Sequence, residues 1–286
     1  MLGAIIGDIC GSRYEFDNNK SYGHIRLFKE GSCPTDDSVM TAAVARALMD
    51  SAGMEHPEVF TALVDSMHYY GHLFSRAGYG GRFRTWLKES LRKPYNSYGN
   101  GSAMRVSAVG WMYPTLEETL EYAEISACVT HDHPEGIKGA KAIAAAIFLA
   151  RTGASKEQIR AYTEANFYKL DFTLDEIRPT YRFNETCQGS CPQAIEAFLE
   201  SSSFEDAVKL AISVGGDTDT IAAMTGSIAE AFYGVPAEIA AMAFKVMQDK
   251  KQDETVCNNS VLACEVRRFW FWLEARGLQS PRPEGL

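Results

Sequence analysis

Thr35-Asp36-Asp37-Ser38-Val39-Met40-Thr41-Ala42-Ala43-Val44-Ala45-Arg46-Ala47-Leu48-Met49-Asp50-Ser51 is the stretch whose reading decides the fold. Val39, Met40, Val44, Ala47 and Leu48 fall on one helical stripe, the pattern of a helix with a single buried face. Thr35 stands where an N-cap belongs, and Asp36 and Asp37 occupy the first turn, where the helix dipole favours acids. Outward from this segment the same signals recur. Thr115 with Glu118, Ser155 with Gln158 and Thr173 with Glu176 have the spacing of capping boxes and mark three more helix starts. Pro134 suits the first turn of a helix through Ile137, Ile143, Ile147 and Leu149, closed by Gly153. Ser203 precedes a helix through Val208 and Ile212 that Gly215 and Gly216 terminate, and another begins at Asp219 and stops at Gly234. Pro236 opens an apolar helix through Met247, and Val256 to Arg276, with Phe269, Trp270, Phe271 and Trp272, reads as a buried closing helix ended by Gly277. No run alternates β-branched and polar residues in the manner of a strand, so the expected fold class is all-α.

The chain has 286 residues, 46% of them hydrophobic, enough for a substantial core. No Pro/Gly/Ser-rich linker divides it and no repeat of fixed period runs through it. Beyond the short tail from Pro281 to Leu286, the expectation is one domain over residues 1–286. A net charge of −9 argues against a nucleic-acid backbone as the main partner. An acidic chain that handles an anionic ligand needs cations or backbone donors at its site. Cys10, Cys33, Cys128, Cys187, Cys191, Cys257 and Cys264 lack the paired spacing of a zinc module and read as small buried thiols in a reducing compartment. The opening Met1-Leu2-Gly3-Ala4-Ile5-Ile6-Gly7-Asp8 lacks the basic start of a secretory signal and reaches a charge too early for a membrane span. A cytoplasmic location without membrane attachment is expected.

Four segments carry chemistry. The first is Thr35-Asp36-Asp37-Ser38 itself, which taken alone has the usual pattern of a solvated cap. Gly215-Gly216-Asp217-Thr218-Asp219-Thr220 repeats its chemistry at a second helix start. Carboxylate and hydroxyl oxygens are hard ligands suited to magnesium or manganese. Four carboxylates brought together repel one another unless cations neutralise them, so a two-metal site is the economical reading. Gly78-Tyr79-Gly80-Gly81, ahead of an apparent helix from Phe83 through Leu91, can turn backbone N–H groups toward an anion such as a diphosphate, or can be a plain connector. Ser97-Tyr98-Gly99-Asn100-Gly101-Ser102-Ala103-Met104-Arg105 packs small and polar residues with no obvious core role. His131-Asp132-His133-Pro134 precedes a helix, so either imidazole can face a cleft or bond a backbone carbonyl.

Taken together, these segments resemble the ADP-ribosylglycohydrolase family, which includes the dinitrogenase-reductase-activating glycohydrolases and the eukaryotic ADP-ribosyl-acceptor hydrolases. The resemblance runs from Gly3-Ala4-Ile5-Ile6-Gly7-Asp8 and Gly11-Ser12-Arg13-Tyr14-Glu15, through Thr35-Asp36-Asp37, the Gly78 turn, Asn100-Gly101-Ser102-Ala103-Met104-Arg105 and His131, to Gly216-Asp217-Thr218-Asp219-Thr220. It implies a compact, single-domain orthogonal helical bundle with two divalent ions, Mg2+ or Mn2+, in a central cleft. It also implies hydrolysis of the glycosidic bond between ADP-ribose and a modified acceptor by two-metal-assisted attack of water. By position, Thr35, Asp36, Asp37, Asp217, Asp219 and Thr220 match the metal ligands, and Glu15, Asp36 and Asp219 are the implied catalytic residues. Gly78, Gly80 and Gly81 match the turn that cradles the diphosphate. Ser97, Tyr98, Asn100, Gly101, Ser102 and His131 match positions lining the ADP-ribose pocket.

Two positions depart from the family pattern. Some bacterial members place an aspartate, proposed as the base, where this chain has Ser97, which shifts the expected base to Glu15. Ser38 stands where a threonine is usual and keeps the hydroxyl. The implied partners are ADP-ribose and an ADP-ribosylated substrate, with nucleic acid entering only as a modified acceptor. Arginine, serine, a nucleobase, an acetyl ester or another ADP-ribose all remain open as the acceptor. A metal-dependent phosphohydrolase of nucleotide diphosphates and a non-enzymatic ADP-ribose-binding protein are the rival readings.

Overall fold

Leu2–Gly11 is a helix buried over its whole length, and no side chain caps its start. A helix that is apolar all round belongs inside the protein rather than on its surface. The carboxylate of Glu230 supplies the missing cap, accepting from the backbone N–H groups of Leu2 at 3.1 Å and Gly3 at 3.0 Å. Gly3, Gly7 and Gly11 form a stripe along this helix and lie directly on the helix Thr218–Tyr233. A Cβ on Gly7 would overlap the Ala222 carbonyl, and one on Gly11 would lie 2.6 Å from the Asp219 Cα.

The computed structural model describes residues 1–17, 20–248 and 259–286. Among them are fifteen α-helices and a single 3-10 turn, with no strand and only an isolated bridge between Gly99 and Thr186. Thr218–Tyr233 is central, since Leu2–Gly11, Pro134–Arg151, Cys187–Glu200 and Phe204–Val214 all pack on it. Asp36–Asp50 is sandwiched between His56–Leu73 and Asn259–Ala275. One continuous apolar core joins these helices, with Trp86, Trp111 and Trp270 among its largest buried side chains. No helix among the described residues is long and apolar enough to cross a membrane.

The expected helix starts are observed. Thr35, Thr115, Ser155, Thr173 and Ser203 each accept a hydrogen bond from a first-turn backbone N–H. Ser155 and Thr173 make full capping boxes, whereas the Thr115 hydroxyl instead donates to the Glu118 carboxylate at 2.7 Å. Gly215 and Gly234 end their helices at positive φ, 78° and 74°. The helix expected from Phe83 through Leu91 is shorter, Gly81–Trp86. Past it the chain turns outward, Leu91 is solvent-exposed and Arg92 takes φ 47°. The closing helix is Asn259–Ala275; its expected first residues, Val256 to Asn258, and Cys257 lie outside the described residues. The remaining six thiols are unpaired, with Cys10, Cys187 and Cys191 buried and Cys264 exposed. His56–Leu73 and Cys187–Glu200, which holds Pro192 inside it, had no counterpart in the sequence reading.

The glycine stripe has a measurable consequence. Gly7→Ala is expected to destabilise the protein by about 1–3 kcal/mol through overpacking, whereas Gly23→Ala, where a Cβ meets open space, stays within about 0.5 kcal/mol of wild type. Urea denaturation of the two variants checks this, and equal midpoints would mean that the two helices can part without cost.

Candidate active site

Asp8, on the buried first helix, organises the start of Asp36–Asp50. Its Oδ2 accepts from the backbone N–H groups of Thr35 at 2.8 Å and Ser38 at 3.0 Å, and from the Ser38 hydroxyl. Its Oδ1 accepts from the Thr35 hydroxyl at 2.7 Å. A carboxylate at a helix N-terminus is favoured by the dipole and satisfies orphan donors. Burial nonetheless pushes the Asp8 carboxyl up to about 6, against the lowering effect of these hydrogen bonds. Asp36 and Asp37 are thereby held side by side in the first turn, where Asp37 is fully buried and Asp36 half-buried.

The second acidic segment sits across the glycine contact. Gly216, at φ 75°, packs against Tyr181 and Phe183, and the chain turns there into Thr218–Tyr233 with Asp217 at the N-cap. Asp217 Oδ2 accepts from Asn100 Nδ2 at 2.7 Å. Thr218 Oγ1 donates to the Gly11 carbonyl at 2.9 Å, tying the turn to the first helix. Thr220 Oγ1 donates to Asp37 Oδ2 at 3.3 Å and so links the two acidic segments directly. Glu15 reaches over from the loop after the first helix, and one carboxylate oxygen each of Glu15, Asp217 and Asp219 lie within 4.8 Å of one another.

This concentration of acid raises every carboxyl in it. Burial is the main cause throughout, followed by neighbouring carboxylates or partly offset by hydrogen bonds. Glu15 is pushed up to about 7, with Asp217 and Asp8 contributing, and Asp36 to about 8, with Asp8 contributing most after burial. Asp37 and Asp219 lie well above the carboxylate range, and Asp217 is raised despite hydrogen bonds from Asp219, Asn100 and Thr220. Asp37 Oδ1 is buried without a hydrogen-bond partner. Clustered hard oxygens, an orphaned carboxylate oxygen and unrelieved mutual repulsion fit a divalent cation held by Glu15, Asp217 and Asp219, with Asp36 and Asp37 adjoining.

The acids form part of the wall of a cleft of about 510 Å³. Of the residues singled out from sequence, Glu15, Asp36, Asp37, Gly78, Gly80, Gly81, Ser97, Tyr98, Asn100, Gly101, His131, Asp217, Asp219 and Thr220 all line it. Thr35 and Ser102 do not. The Thr35 hydroxyl is committed to Asp8, and Ser102 is fully buried with its hydroxyl donating to the Gly136 carbonyl at 2.7 Å. Gly78 has φ 103°, a conformation L side chains rarely adopt, whereas side chains at Gly80 and Gly81 would project into open space. The two histidines divide their roles. His131 lines the cleft, and His133 caps Pro134–Arg151 by accepting the Glu135 N–H at 3.1 Å.

Several wall residues had no signal strong enough to single them out. Arg82, Tyr95, Arg105, Phe183 and Glu185 also line the cleft. Arg82 donates to the Tyr95 carbonyl, with its guanidinium 4.9 Å from the Tyr95 ring centre. Arg105 belonged to a quoted motif, yet its burial beneath the cleft is a property of packing. The Phe183–Glu185 strip is held by the Asn100 N–H, which donates to the Glu185 carbonyl at 2.8 Å.

The raised carboxyls fix how stability responds to pH. Their folded pKa values exceed the unfolded ones, so ionisation opposes folding. The penalty is absent below about pH 4 and grows as the pH climbs toward the folded values. Metal-stripped protein should therefore lose thermal stability between pH 5 and pH 8, and added Mg2+ or Mn2+ should raise the melting temperature more at pH 8 than at pH 5. Differential scanning calorimetry with chelator or metal tests both signs, and Asp217→Asn should shrink the metal-dependent gain.

Residues 1–266 match the sequence profile of the ADP-ribosylglycohydrolase family. ADP-ribosylhydrolase ARH3 of Mus musculus is 27% identical over 313 aligned positions, which span 82% of this chain and 83% of the mouse protein. ADP-ribosylarginine hydrolase Tri1 of Pseudomonas putida (strain GB-1) is also 27% identical, across 82% of this chain and 70% of its own length. Among solved structures, one described as an ADP-ribosylglycohydrolase-related protein complex superposes with a TM-score of 0.52 at 21% identity, covering 86% of this chain and 95% of that one, and bears on the fold. With the profile spanning both acidic helix starts, the Gly78 turn and His131, the chain belongs to the ADP-ribosylglycohydrolase family.

Proposed function

We propose that this chain is a cytosolic, single-domain, divalent-metal-dependent glycohydrolase that releases ADP-ribose from a modified acceptor. The carrying observation is convergence: Glu15 and the acidic segments at Asp36 and Asp217 share one cleft with the Gly78 turn, Asn100, Gly101 and His131. Its volume of about 510 Å³ falls within the range of small-ligand sites, roughly 300–1,000 Å³. The ions are proposed to be two, Mg2+ or Mn2+, held by Asp36, Asp37, Asp217, Asp219 and Thr220, while Thr35, its hydroxyl committed to Asp8, positions the first segment instead of ligating. When bound, they neutralise the carboxylates and supply Lewis acidity to water and the ribose hydroxyls.

In this reading, water attacks C1 of the acceptor-side ribose through a transition state with oxocarbenium character, the bond from C1 to the acceptor breaks, and the acceptor departs, ending with the proton removed from the water. Glu15 takes the proton of the attacking water. Its half-buried carboxylate stands at the cleft wall within 4.8 Å of those of Asp217 and Asp219, where the attacking water would be held. Asp36 and Asp219 adjoin it as further catalytic carboxylates. The backbone of Gly78, Gly80 and Gly81 faces the diphosphate, while Ser97, Tyr98, Asn100, Gly101 and His131 surround the rest of the ligand. Ser102 supports this wall through its bond to Gly136.

A panel of ADP-ribosylated arginine, serine and DNA, each assayed with Mg2+ and Mn2+, tests the function by its product. Free ADP-ribose is expected, and AMP with a ribose phosphate would identify a diphosphatase instead. Asp36→Asn and Asp217→Asn should abolish turnover with helix content retained. Glu15→Gln should keep ADP-ribose affinity within a few-fold but slow turnover by about 100-fold or more, the span of general-base assistance. Near-normal turnover in that variant would move the base to Asp36 or Asp219.

The Gly78 turn has its own test. Gly80→Val, projecting a branched side chain into the cleft, should weaken ADP-ribose binding in calorimetry more than Arg82→Ala does. The opposite ranking would assign the phosphates to the arginine.

A further inference from the structure

Arg105 is the largest charged side chain fully inside the protein, and it lines the cleft. A buried guanidinium normally faces a carboxylate, because an uncompensated charge in the interior is costly. Arg105 has none. Its electrostatic neighbours are the Tyr95 phenol and the Cys187 thiol, its Nε has no hydrogen-bond partner, and it remains protonated near neutrality although burial lowers it to about 10. Nη2 donates to the Ser126 carbonyl at 3.1 Å and to Thr130 Oγ1 at 2.9 Å.

Thr130 passes this arrangement on. Thr130 is fully buried, and its Oγ1 lies 2.7 Å from His131 Nδ1. A hydroxyl has one proton to give and can accept two, whereas a guanidinium can only donate. Thr130 Oγ1 therefore accepts from Arg105. If His131 Nδ1 carried a proton, Thr130 would accept that one too, and its own buried proton would have no acceptor among the described residues. In the other arrangement Thr130 accepts from Arg105 and donates to His131 Nδ1, and every proton is placed. The histidine's remaining proton is then on Nε2, which faces the Gly99–Gly101 segment of the cleft, 3.1 Å from where a Cβ on Gly101 would stand, and has no protein partner among the described residues.

We propose that Arg105 and Thr130 are positioning residues that lock His131 as the Nε2–H tautomer and so present one fixed donor to an oxygen acceptor of the ligand. The proposal rests on the reading of this cleft as the ADP-ribose site. Burial, and after it the charges of Arg105 and Arg82, hold the imidazole well below its usual range, so it meets the ligand neutral. The family resemblance had placed His131 in the pocket; the relay adds which nitrogen acts and what orients it.

The test reads the tautomer directly, by two-bond proton–nitrogen correlation spectra of the whole chain labelled at its six histidines, with His131→Ala assigning the signal. Wild type is expected to show Nε2–H at neutral pH, without any ligand. Thr130→Val, nearly isosteric but without the hydroxyl, should release the tautomer and weaken ADP-ribose binding about tenfold, the effect of one lost hydrogen bond. Thr130→Ser should restore both to within about twofold, which a merely structural threonine would not require. An Nδ1–H or doubly protonated His131 in wild type overturns the proposal, as does Thr130→Val with unchanged tautomer and affinity. Undiminished ADP-ribose binding by His131→Ala would overturn the ligand-facing role. The ligand-free spectrum still decides the relay if wild type binds no ADP-ribose, an outcome that would sink the functional reading instead.

Discussion

The contact between Leu2–Gly11 and Thr218–Tyr233, possible because Gly3, Gly7 and Gly11 carry no side chains, sets the geometry on which the cleft depends. Interiors are packed to near-crystalline density, so two helices this close are held by backbone contacts that a single methyl group would break. The contact brings the Gly11 carbonyl to the Thr218 hydroxyl, and it brings Asp8 on one helix near Asp217 and Asp219 on the other. Asp8 in turn fixes the start of Asp36–Asp50. Through these two steps, acids more than two hundred positions apart in sequence become neighbours.

The cleft built this way is electrically divided. Its acidic wall gathers Glu15, Asp36, Asp37, Asp217 and Asp219, whose mutual repulsion and burial raise every one of them. Its basic wall holds Arg82 and the buried Arg105, neither ion-paired with a carboxylate among the described residues. Separated charges of this kind destabilise the protein when the cleft is empty. Cations at the acids and an anion near the arginines would relieve them, which is the charge pattern the proposed substrate and ions supply. Asn100 joins the two walls, since its side chain donates to Asp217 while its backbone N–H holds the Phe183–Glu185 strip.

Hydroxyl groups do much of the positioning. Thr35 and Ser38 clasp Asp8, Thr220 bridges to Asp37, and Thr130 stands between Arg105 and His131. A hydroxyl can donate and accept at once, so it can relay orientation between a charged group and a ligand-facing one without adding charge. Several of these residues touch no ligand space, which is why Thr35 and Ser102 stand outside the cleft wall although their neighbours form it.

The sequence by itself determined the helical class, most helix starts, several helix stops, and the two acidic segments. Those features are local: an N-cap, a first-turn acid or a terminating glycine acts within about one helical turn of itself. The Phe83 helix was overextended because apolar spacing alone cannot sense a chain turning outward at Arg92. His56–Leu73 and Cys187–Glu200 went unseen, the latter because Pro192 masks a helix that packing sustains. What only the tertiary structure decided involves partners far apart in the chain. Asp8 became the clamp of the Thr35 segment across 27 positions, and Glu230 became the cap of the first helix across 228. Arg105 became a buried charge beneath His131 across 25 positions to Thr130. Hydrogen bonds and burial over such separations depend on which helix faces meet, and residue spacing carries no record of that.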